Sequence, residues 1–471
     1  MQGDREGVSI MGKQAEINID MDLCTGCQRC STVCPVGAIF GKFGEYQTIN
    51  QEKCVRCGQC VQICSAYASV YEHTPATIVE KNQLRGLPGD YDGPVFAAYY
   101  TGVYRKVKHV LLDKHYYKMV QCAPAVRVSL AEEFGLDFGV LTPGKLAAAL
   151  RRIGFDQVYD TNFGADLTIM EEAGELLDRI QNGGVLPMFT SCCPAWVRFI
   201  ETAHPELIPH LSSCKSPQQM AGAMFKTYGA KQIGRVPASL YSVAIMPCTC
   251  KEKEAEREEM ADSGYRDVDA VLTTTELAYL IKEADIDFAA LPEEEFDRPL
   301  GFYSGAGTLF GVTGGVTEAA LRTAYERLMK KKLPDGMLQE LREGQGRKSI
   351  KLNLAGLELK TWVVAGLQNV ETLLSEVKKG SADFQFMEVM TCPAGCISGG
   401  GQPKLYLGNR AQEAYDKRRL GLYEHDREQK IHTSHDNPEI KLLYKNFLGE
   451  PLGHVSHKLL HTTYRQKNVN K

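Results

Sequence analysis

Three short stretches place cysteine beside proline at the end of an apolar run: Thr190-Ser-Cys-Cys-Pro-Ala-Trp196, Met246-Pro-Cys-Thr-Cys-Lys251 and Glu388-Val-Met-Thr-Cys-Pro-Ala-Gly-Cys396. Gly399-Gly-Gly-Gln-Pro403 follows the last of them. Thiolates are soft ligands suited to iron-sulfur centres, so cysteines gathered from separate stretches point to one metal site. The runs before them, Val185 to Phe189, Leu240 to Ile245 and Phe384 to Val389, read as parallel strands. Side chains at the carboxyl ends of strands in an open α/β sheet face a shared crevice, where residues distant in sequence converge.

The elements that position such a site need a large core. A chain of 471 residues, 44% of them hydrophobic, supplies one and should divide into several domains. With 54 basic and 58 acidic residues the net charge is −4, and no long block of one sign suggests nucleic acid or an anionic membrane as partner. The stretch Met1 to Asn18 is polar, and no apolar run reaches the length of a bilayer span. The expected compartment is therefore the cytoplasm. There, 16 cysteines are better explained by metal ligation than by disulfides.

Eight of those cysteines form two runs, Cys24, Cys27, Cys30, Cys34 and Cys54, Cys57, Cys60, Cys64, each spaced C-x2-C-x2-C-x3-C. The doubled spacing resembles the bacterial two-cluster ferredoxin, in which each [4Fe-4S] cubane takes three cysteines from one run and the fourth from the other. The resemblance implies one cluster on Cys24, Cys27, Cys30 and Cys64, and another on Cys54, Cys57, Cys60 and Cys34. Ser65 stands where proline is usual, which affects a turn and not a ligand. A structural zinc module, the alternative, has no need of this regular doubling. Arg29, Lys42, Lys53 and Arg56 near the runs are either ordinary solvated charge or an attraction for an acidic electron carrier.

The three later motifs resemble the signature segments of [FeFe]-hydrogenases, and with the ferredoxin-like module the resemblance extends from Met21 to Tyr464. It implies an H-cluster: a [4Fe-4S] cubane joined through one cysteine sulfur to a two-iron unit carrying CO, cyanide and an amine-dithiolate. By motif position the cubane ligands are Cys193, Cys248, Cys392 and Cys396, with Cys396 as the bridging thiolate. Lys251 would donate to a cyanide. Ala123 and Pro124 backbone, the Gln218 side chain, and the apolar Met246, Met390 and Phe310 match further positions around the cluster; taken alone, the methionines and phenylalanine read as core. Gly399, Gly400 and Gly401 would bring backbone N–H groups to sulfur, and Ser304-Gly-Ala-Gly307 and Gly311 to Gly315 would permit similar tight packing. A phosphate loop is the rival, but no Gly-Lys-Ser/Thr follows these runs.

The adjacent thiol Cys192 is left without a ligand role and is free to carry protons; its plain alternative is a small buried hydrophobe. On the amphipathic helix read over Leu167 to Ile180, Glu172, Glu175 and Arg179 share one face. Without the resemblance this is a solvated salt-bridge face. The resemblance implies a proton path through Cys192, Glu172, Ser212, Glu175 and Arg179.

Two positions usually filled by small non-thiol residues are cysteine here, Cys214 and Cys250, and Cys122 adds a third thiol to these motifs. Cys250 is expected to affect the cubane's potential or its oxidative inactivation, against a neutral serine-like replacement. The expected fold is an α/β catalytic domain of two lobes, with sheets flanked by helices and the cluster in the cleft between them, plus a small α+β ferredoxin-like domain. The expected divisions are a polar tail over 1–20, the two-cluster module over 21–75, a linker over 76–117, the catalytic domain over 118–403 and a wrapping segment over 404–471. The histidines of His432-Thr-Ser-His-Asp-Asn-Pro438 and His457-Lys-Leu-Leu-His461 read as capping and packing groups. Together these imply reversible interconversion of protons, electrons and H2, with a ferredoxin-like carrier as partner and dedicated maturation proteins supplying the two-iron unit. The alternatives are a low-turnover hydrogen sensor, whose signalling domain is absent, and a non-catalytic iron-sulfur assembly factor.

Overall fold

The computed structural model describes residues 16–68, 82, 85, 87, 88, 91, 93–334, 336–344, 346–354, 356–405 and 408–467. The polar residues 1–15 and most of the Gly/Pro-rich stretch around Gly86-Leu-Pro-Gly89 and Asp90-Tyr-Asp-Gly93 lie outside them.

The first lobe is built on a four-stranded parallel sheet, in the order Ala270–Thr273, Leu240–Met246, Tyr117–Cys122 and Gln157–Asp160. Every residue of Leu240–Met246 is buried, as a strand covered by helices on both faces requires. The alternation along Tyr117–Cys122 shows the two coverings. Val120 and Cys122 face the core formed with the helices Pro143–Arg152 and Thr274–Glu283. Met119 faces the opposite core, with Phe163, Leu167 and Met220 from the helices Thr161–Asn182 and Pro217–Met224.

The second lobe carries a mixed sheet in the order Arg347–Leu354, Leu357–Ala365, Phe386–Met390 and Met188–Phe189. The three cysteine-bearing strands therefore belong to two sheets, one in the first lobe and two in the second, and the cysteines meet between the lobes. The run Val185 to Phe189 contributes only the two-residue strand Met188–Phe189.

In the N-terminal module the short helices Arg29–Thr32 and Gln59–Ile63 carry Cys30 and Cys60, and the other cysteines of each run lie in the loops on either side. Its sheet corrects the expected boundaries. Glu16–Ile19, read as tail, pairs antiparallel with Ala98–Thr101, read as linker, and Val95–Phe96 pairs with Tyr67–Ala68. The physical reason is that Ile17, 1% exposed, packs beneath Cys30, Ile39 and Cys60, closing the module's small core. Tyr104, also read as linker, is buried in the first lobe.

The module is fastened to both lobes through backbone. Thr249 Oγ1 donates to Arg56 O at 2.7 Å, Arg198 Nε to Cys54 O at 3.0 Å, and Gln62 Nε2 to Gln402 O at 2.9 Å. At the centre of this contact two glycines lie face to face: a Cβ on Gly400 would stand 2.5 Å from Cys57 O and 2.6 Å from Gly58 Cα. Both neighbours are backbone and cannot swing aside. Gly400→Ala is accordingly expected to lower stability by about 1–3 kcal/mol, the range for overpacking a well-filled contact. Denaturant titration of the metal-loaded protein measures it, and an unchanged midpoint would show that the module simply shifts.

The C-terminal residues clasp the helix Thr161–Asn182. Asp166, fully buried, accepts from Ser304 N at 2.7 Å, Ser434 Oγ at 2.8 Å and Asn437 Nδ2 at 2.9 Å.

Candidate active site and metal centre

One cavity between the lobes is lined by Cys193, Cys248, Cys392 and Cys396 together with Cys192 and Lys251. Each cysteine is delivered by a strand end. Cys192 and Cys193 lie between Met188–Phe189 and the helix Pro194–Ala203, whose first residue is proline, and Cys248 lies between Leu240–Met246 and the helix Lys251–Ala255. Cys392 and Cys396 flank a tight reversal. Gly395 N donates back to Cys392 O, and its φ of 78° is a conformation glycine adopts without strain.

Three of these thiols, Cys248, Cys392 and Cys396, are raised above the ordinary thiol range by burial and by neighbouring cysteines. Cys248 is pushed up to about 11 and Cys396 to about 12, first by burial and then by neighbouring cysteines, Cys193 foremost. Four thiols in an otherwise apolar cavity call for a cationic centre to hold them as thiolates. Other groups are also left open toward the cavity. Lys251 Nζ donates to Cys192 O at 3.0 Å and to Glu254 Oε2 at 2.7 Å, which leaves one of an ammonium's three donors. Gln218 Nε2 donates to Lys251 O, while its Oε1 has no partner among the described residues. Ala123, Pro124, Met246, Met390 and Phe310 complete the wall. The donor set fits an iron-sulfur centre with an anionic, ligand-bearing extension.

The glycine run behaves differently from expectation. Gly399 N donates to Cys396 O, closing a turn, and Gly401 N donates across to Pro247 O, so these two N–H groups are taken up by carbonyls. A Cβ on Gly307 would stand 2.5 Å from Asn162 O, so Ser304-Gly-Ala-Gly307 packs against the helix Thr161–Asn182. Sulfur instead receives Gln59 Nε2, which donates to Cys392 Sγ at 3.3 Å, and Cys250 N, which donates to Cys248 Sγ at 3.4 Å. The additional thiols lie away from the cavity wall. Cys122 sits in the first lobe's core, Cys250 donates to Val55 O at 3.3 Å, and Cys214 donates to Glu175 Oε2 at 3.6 Å.

In the N-terminal module Cys24, Cys27, Cys30 and Cys64 line one small cavity. Cys54, Cys57 and Cys60 are grouped with Cys34, whose charge acts on each of the three. Cys57 also neighbours Cys392 and is pushed up to about 12 by burial, then by other cysteines. The four basic residues near these runs separate: Lys42 is exposed, whereas Arg56 is buried beside Glu16.

Behind Cys192 the helix Thr161–Asn182 turns a polar face inward. Glu172 is 1% exposed, and neither of its carboxylate oxygens has a hydrogen-bond partner among the described residues. Burial, then the Glu175 charge, pushes its carboxyl up to about 8. Glu175, one turn on, is saturated: Ser212 Oγ donates to it at 2.8 Å, Arg179 at 2.6 Å and Ser213 N at 3.1 Å. Burial alone would raise Glu175, but Arg179 and these donors outweigh it and hold the carboxyl below its usual range. Arg179 reaches the surface edge, its guanidinium also fixed on Leu211 O at 2.8 Å. Far from a solvated salt-bridge face, this is an interior row of groups running outward from the cavity.

Sequence reasoning missed several polar groups. Glu171 is fully buried and accepts from Leu452 N at 2.8 Å; Tyr444 donates to it and His461 Nε2 lies 3.0 Å from it, so His461 does more than pack. Glu254, three residues from Lys251, carried a helix-pair signal, whereas Gln59 and Cys392 are 333 positions apart and carried none.

The family model described as "Iron only hydrogenase large subunit, C-terminal domain" matches residues 116–400. "Iron hydrogenase small subunit" matches 412–467, and "4Fe-4S dicluster domain" matches 16–65. The chain is 41% identical to "NADP-reducing hydrogenase subunit HndD" of Solidesulfovibrio fructosivorans, over 96% of this chain and 74% of that protein. It is 42% identical to "Periplasmic [Fe] hydrogenase large subunit" of Nitratidesulfovibrio vulgaris, over 86% of this chain and 90% of that one. Among solved structures, the [FeFe]-hydrogenase HydA1 from Chlamydomonas reinhardtii superposes with a TM-score of 0.67 at 42% identity, covering 78% of this chain and all of that one. With four thiols converging between two lobes and a two-cluster module docked against them, the chain belongs to the iron-only, or [FeFe], hydrogenases, oxidoreductases that act on hydrogen at an H-cluster.

Proposed function

We propose that Cys193, Cys248, Cys392 and Cys396 would hold the cubane of the H-cluster, that Cys396 would also serve the two-iron unit, and that Lys251 would donate to its cyanide. The observation that carries this reading is the single cavity in which these four thiols, Lys251 and Cys192 meet. When bound, the H-cluster supplies the two-electron chemistry that interconverts protons and H2. The chain's own work is to hold it, exclude water and move protons. Cys192 exchanges a proton at its Sγ with Glu172, and Ser212 and Glu175 pass it to the Arg179 edge. Met246, Met390 and Phe310 line the cavity and keep bulk solvent from it, so that protons reach it by way of Glu172. Infrared spectroscopy of the fully matured protein tests the assignment. Bands from CO and cyanide, with H2 turnover, are expected; their absence after maturation would overturn it.

Electrons are proposed to arrive at the cluster on Cys24, Cys27, Cys30 and Cys64, then pass through the one on Cys54, Cys57, Cys60 and Cys34 to the cubane. Cys57 beside Cys392, and Gln59 donating to Cys392, mark the join. At the outer end Cys27 is exposed. Around it Phe43 is 80% exposed, Phe40 58% and Tyr46 52%, with Lys42, whose Nζ lies 3.9 Å from the exposed Glu45 carboxylate, on the same hairpin. Aromatic side chains beside a cation suit an acidic, ferredoxin-like carrier. Phe43→Ser is expected to raise KM for such a carrier about 10-fold, the size of one lost aromatic anchor. Turnover with a small viologen dye should stay within about twofold, since the dye needs no docking patch. An unmoved KM would place the docking surface elsewhere. The compartment proposed is the cytoplasm, where thiols stay reduced until metal reaches them.

A further inference from the structure

Cys214 is wholly buried, and its Sγ donates to Glu175 Oε2 at 3.6 Å. Its other side faces the C-terminal segment. Cys214 and His461 form an antiparallel bridge, pinned by Lys215 N donating to Leu460 O at 2.8 Å and Thr462 N donating to Ser213 O at 2.7 Å. As a result Cys214 Sγ, a Glu175 carboxylate oxygen and a His461 ring nitrogen all lie within 4.8 Å of one another. His461 is 4% exposed and held at both nitrogens: Nδ1 lies 2.8 Å from Ser213 Oγ and Nε2 lies 3.0 Å from Glu171 Oε2. Over its outer face His457, which is exposed, stacks in parallel with ring centroids 4.5 Å apart. Exchangeable groups thus run from Glu175 to His461 on a side of the helix other than the Arg179 edge, and the exposed His457 is the ring stacked between His461 and solvent.

We propose that Cys214 and His461 form a second proton outlet, leading from Glu175 to the surface at His457. The proposal rests on the proton row proposed above and gives it a second mouth. In the inward direction the imidazolium of His461 gives a proton to Cys214 Sγ as the Cys214 S–H gives its own to Glu175. His461 is left neutral, Cys214 is again a thiol, Glu175 is protonated, and no electrons move. The span from Sγ to the ring is closed by one thiol rotation or one bridging water.

The groups facing this branch suit the transfer. From the helix Thr161–Asn182 they are Glu171, Glu172 and Glu175; from the C-terminal segment, Tyr444 and His457; and Arg327 stands near Glu171. Burial and then the charges of Glu175, Glu172 and Glu171 keep the Cys214 thiol protonated, as a donor must be. Glu171 holds the ring in position to take a proton at Nδ1, where the Ser213 hydroxyl can switch from donor to acceptor.

The test is H2 evolution by the matured enzyme with reduced viologen, followed as a function of pH. Arg179→Leu closes the first mouth and is expected to keep at least about a third of the turnover, because the branch still delivers. Adding Cys214→Ala should lower it a further ~10-fold or more, and Cys214→Ser in the same background should restore it to within about twofold, since a hydroxyl relays as a thiol does. In the Arg179→Leu background, His457→Gln should move the alkaline limb of the pH profile, a readout that a purely structural role leaves in place. Equal rates for Arg179→Leu with and without Cys214→Ala would overturn the branch. Should the alanine variant fail to load its clusters by infrared bands, His461→Asn makes the same comparison with the same two outcomes. Glu172→Gln lies upstream of both mouths; wild-type turnover in that variant would refute the proton row itself rather than the branch alone.

Discussion

Replacing Cys192 with alanine, or Glu172 with glutamine, is expected to lower H2 turnover by about 10³-fold, within the range for losing a positioned proton-transfer group. Neither side chain is among the four proposed cluster thiolates, so the infrared bands and cluster spectra should persist. The physical basis lies in the environments of the two groups. The part of Cys192 that is not covered by protein faces the cavity, and burial, then the Glu172 and Cys193 charges, raises its thiol well above the ordinary value. Cys192 therefore works as an S–H that gives one proton while taking another. A thiol near its ordinary pKa, the simplest reading of an isolated cysteine, is not what this cavity makes. Glu172 complements it: pushed up to about 8 by burial and then by the Glu175 charge, it holds a proton at neutral pH, and its oxygens make no hydrogen bond within reach among the described residues.

The pH dependence follows with a definite sign. Below about pH 8 the native Glu172 is mostly protonated, whereas in an unfolded chain it ionises near 4.5. Between those values the native state binds more protons than the unfolded state, so this group's contribution to stability falls as pH rises through the window. Proton supply to the cavity should weaken above pH 8 for the same reason. Glu172→Gln should remove that slope from the stability curve as well as the turnover. Wild-type-like rates in either variant, with clusters intact, would refute the row.

What the sequence made legible was local. Cysteine spacing, proline at the start of Pro194–Ala203 and the apolar run Leu240 to Ile245 each reside within a few positions, and each produced the expected element. The same holds for the Glu172, Glu175 and Arg179 face, since helical periodicity puts those side chains together before any tertiary contact forms. What stayed hidden was set by packing between distant segments. Glu171, next to Glu172, reads as another surface carboxylate until the C-terminal segment brings His461 and Tyr444 over it. Cys214 and Cys250 read alike as spare thiols, yet one turns to a carboxylate and the other to the carbonyl of Val55. The boundaries of the N-terminal module failed for a related reason: a four-residue strand such as Glu16–Ile19 has too little pattern to announce a partner some eighty positions away.

Arg127→Met is expected to destabilise the fold by about 3–5 kcal/mol, the cost of stranding one member of a buried ion pair. Arg127 and Asp160 are both completely buried, and Arg127 Nη2 donates to both carboxylate oxygens of Asp160, at 2.7 and 2.8 Å. Burial pushes the Asp160 carboxyl up and Arg127 pulls it back, so without the guanidinium the carboxylate would stand buried and uncompensated. That matters beyond the pair. Asp160 ends the strand Gln157–Asp160 and caps the helix Thr161–Asn182, accepting from Asn162 N at 2.9 Å. The helix that carries Glu171, Glu172 and Glu175 is thus anchored at its start by a charge that, among the described residues, is paired with Arg127 alone. Adding Asp160→Asn to Arg127→Met removes the stranded charge but leaves a capping side chain, and should recover more than about half of the loss. Denaturant midpoints of the metal-loaded variants decide the matter: a loss below about 1 kcal/mol for Arg127→Met would mean that solvent or a neighbour satisfies Asp160. The expected recovery separates the two burdens on this residue, since a neutral amide still caps the helix and carries no buried charge to be compensated.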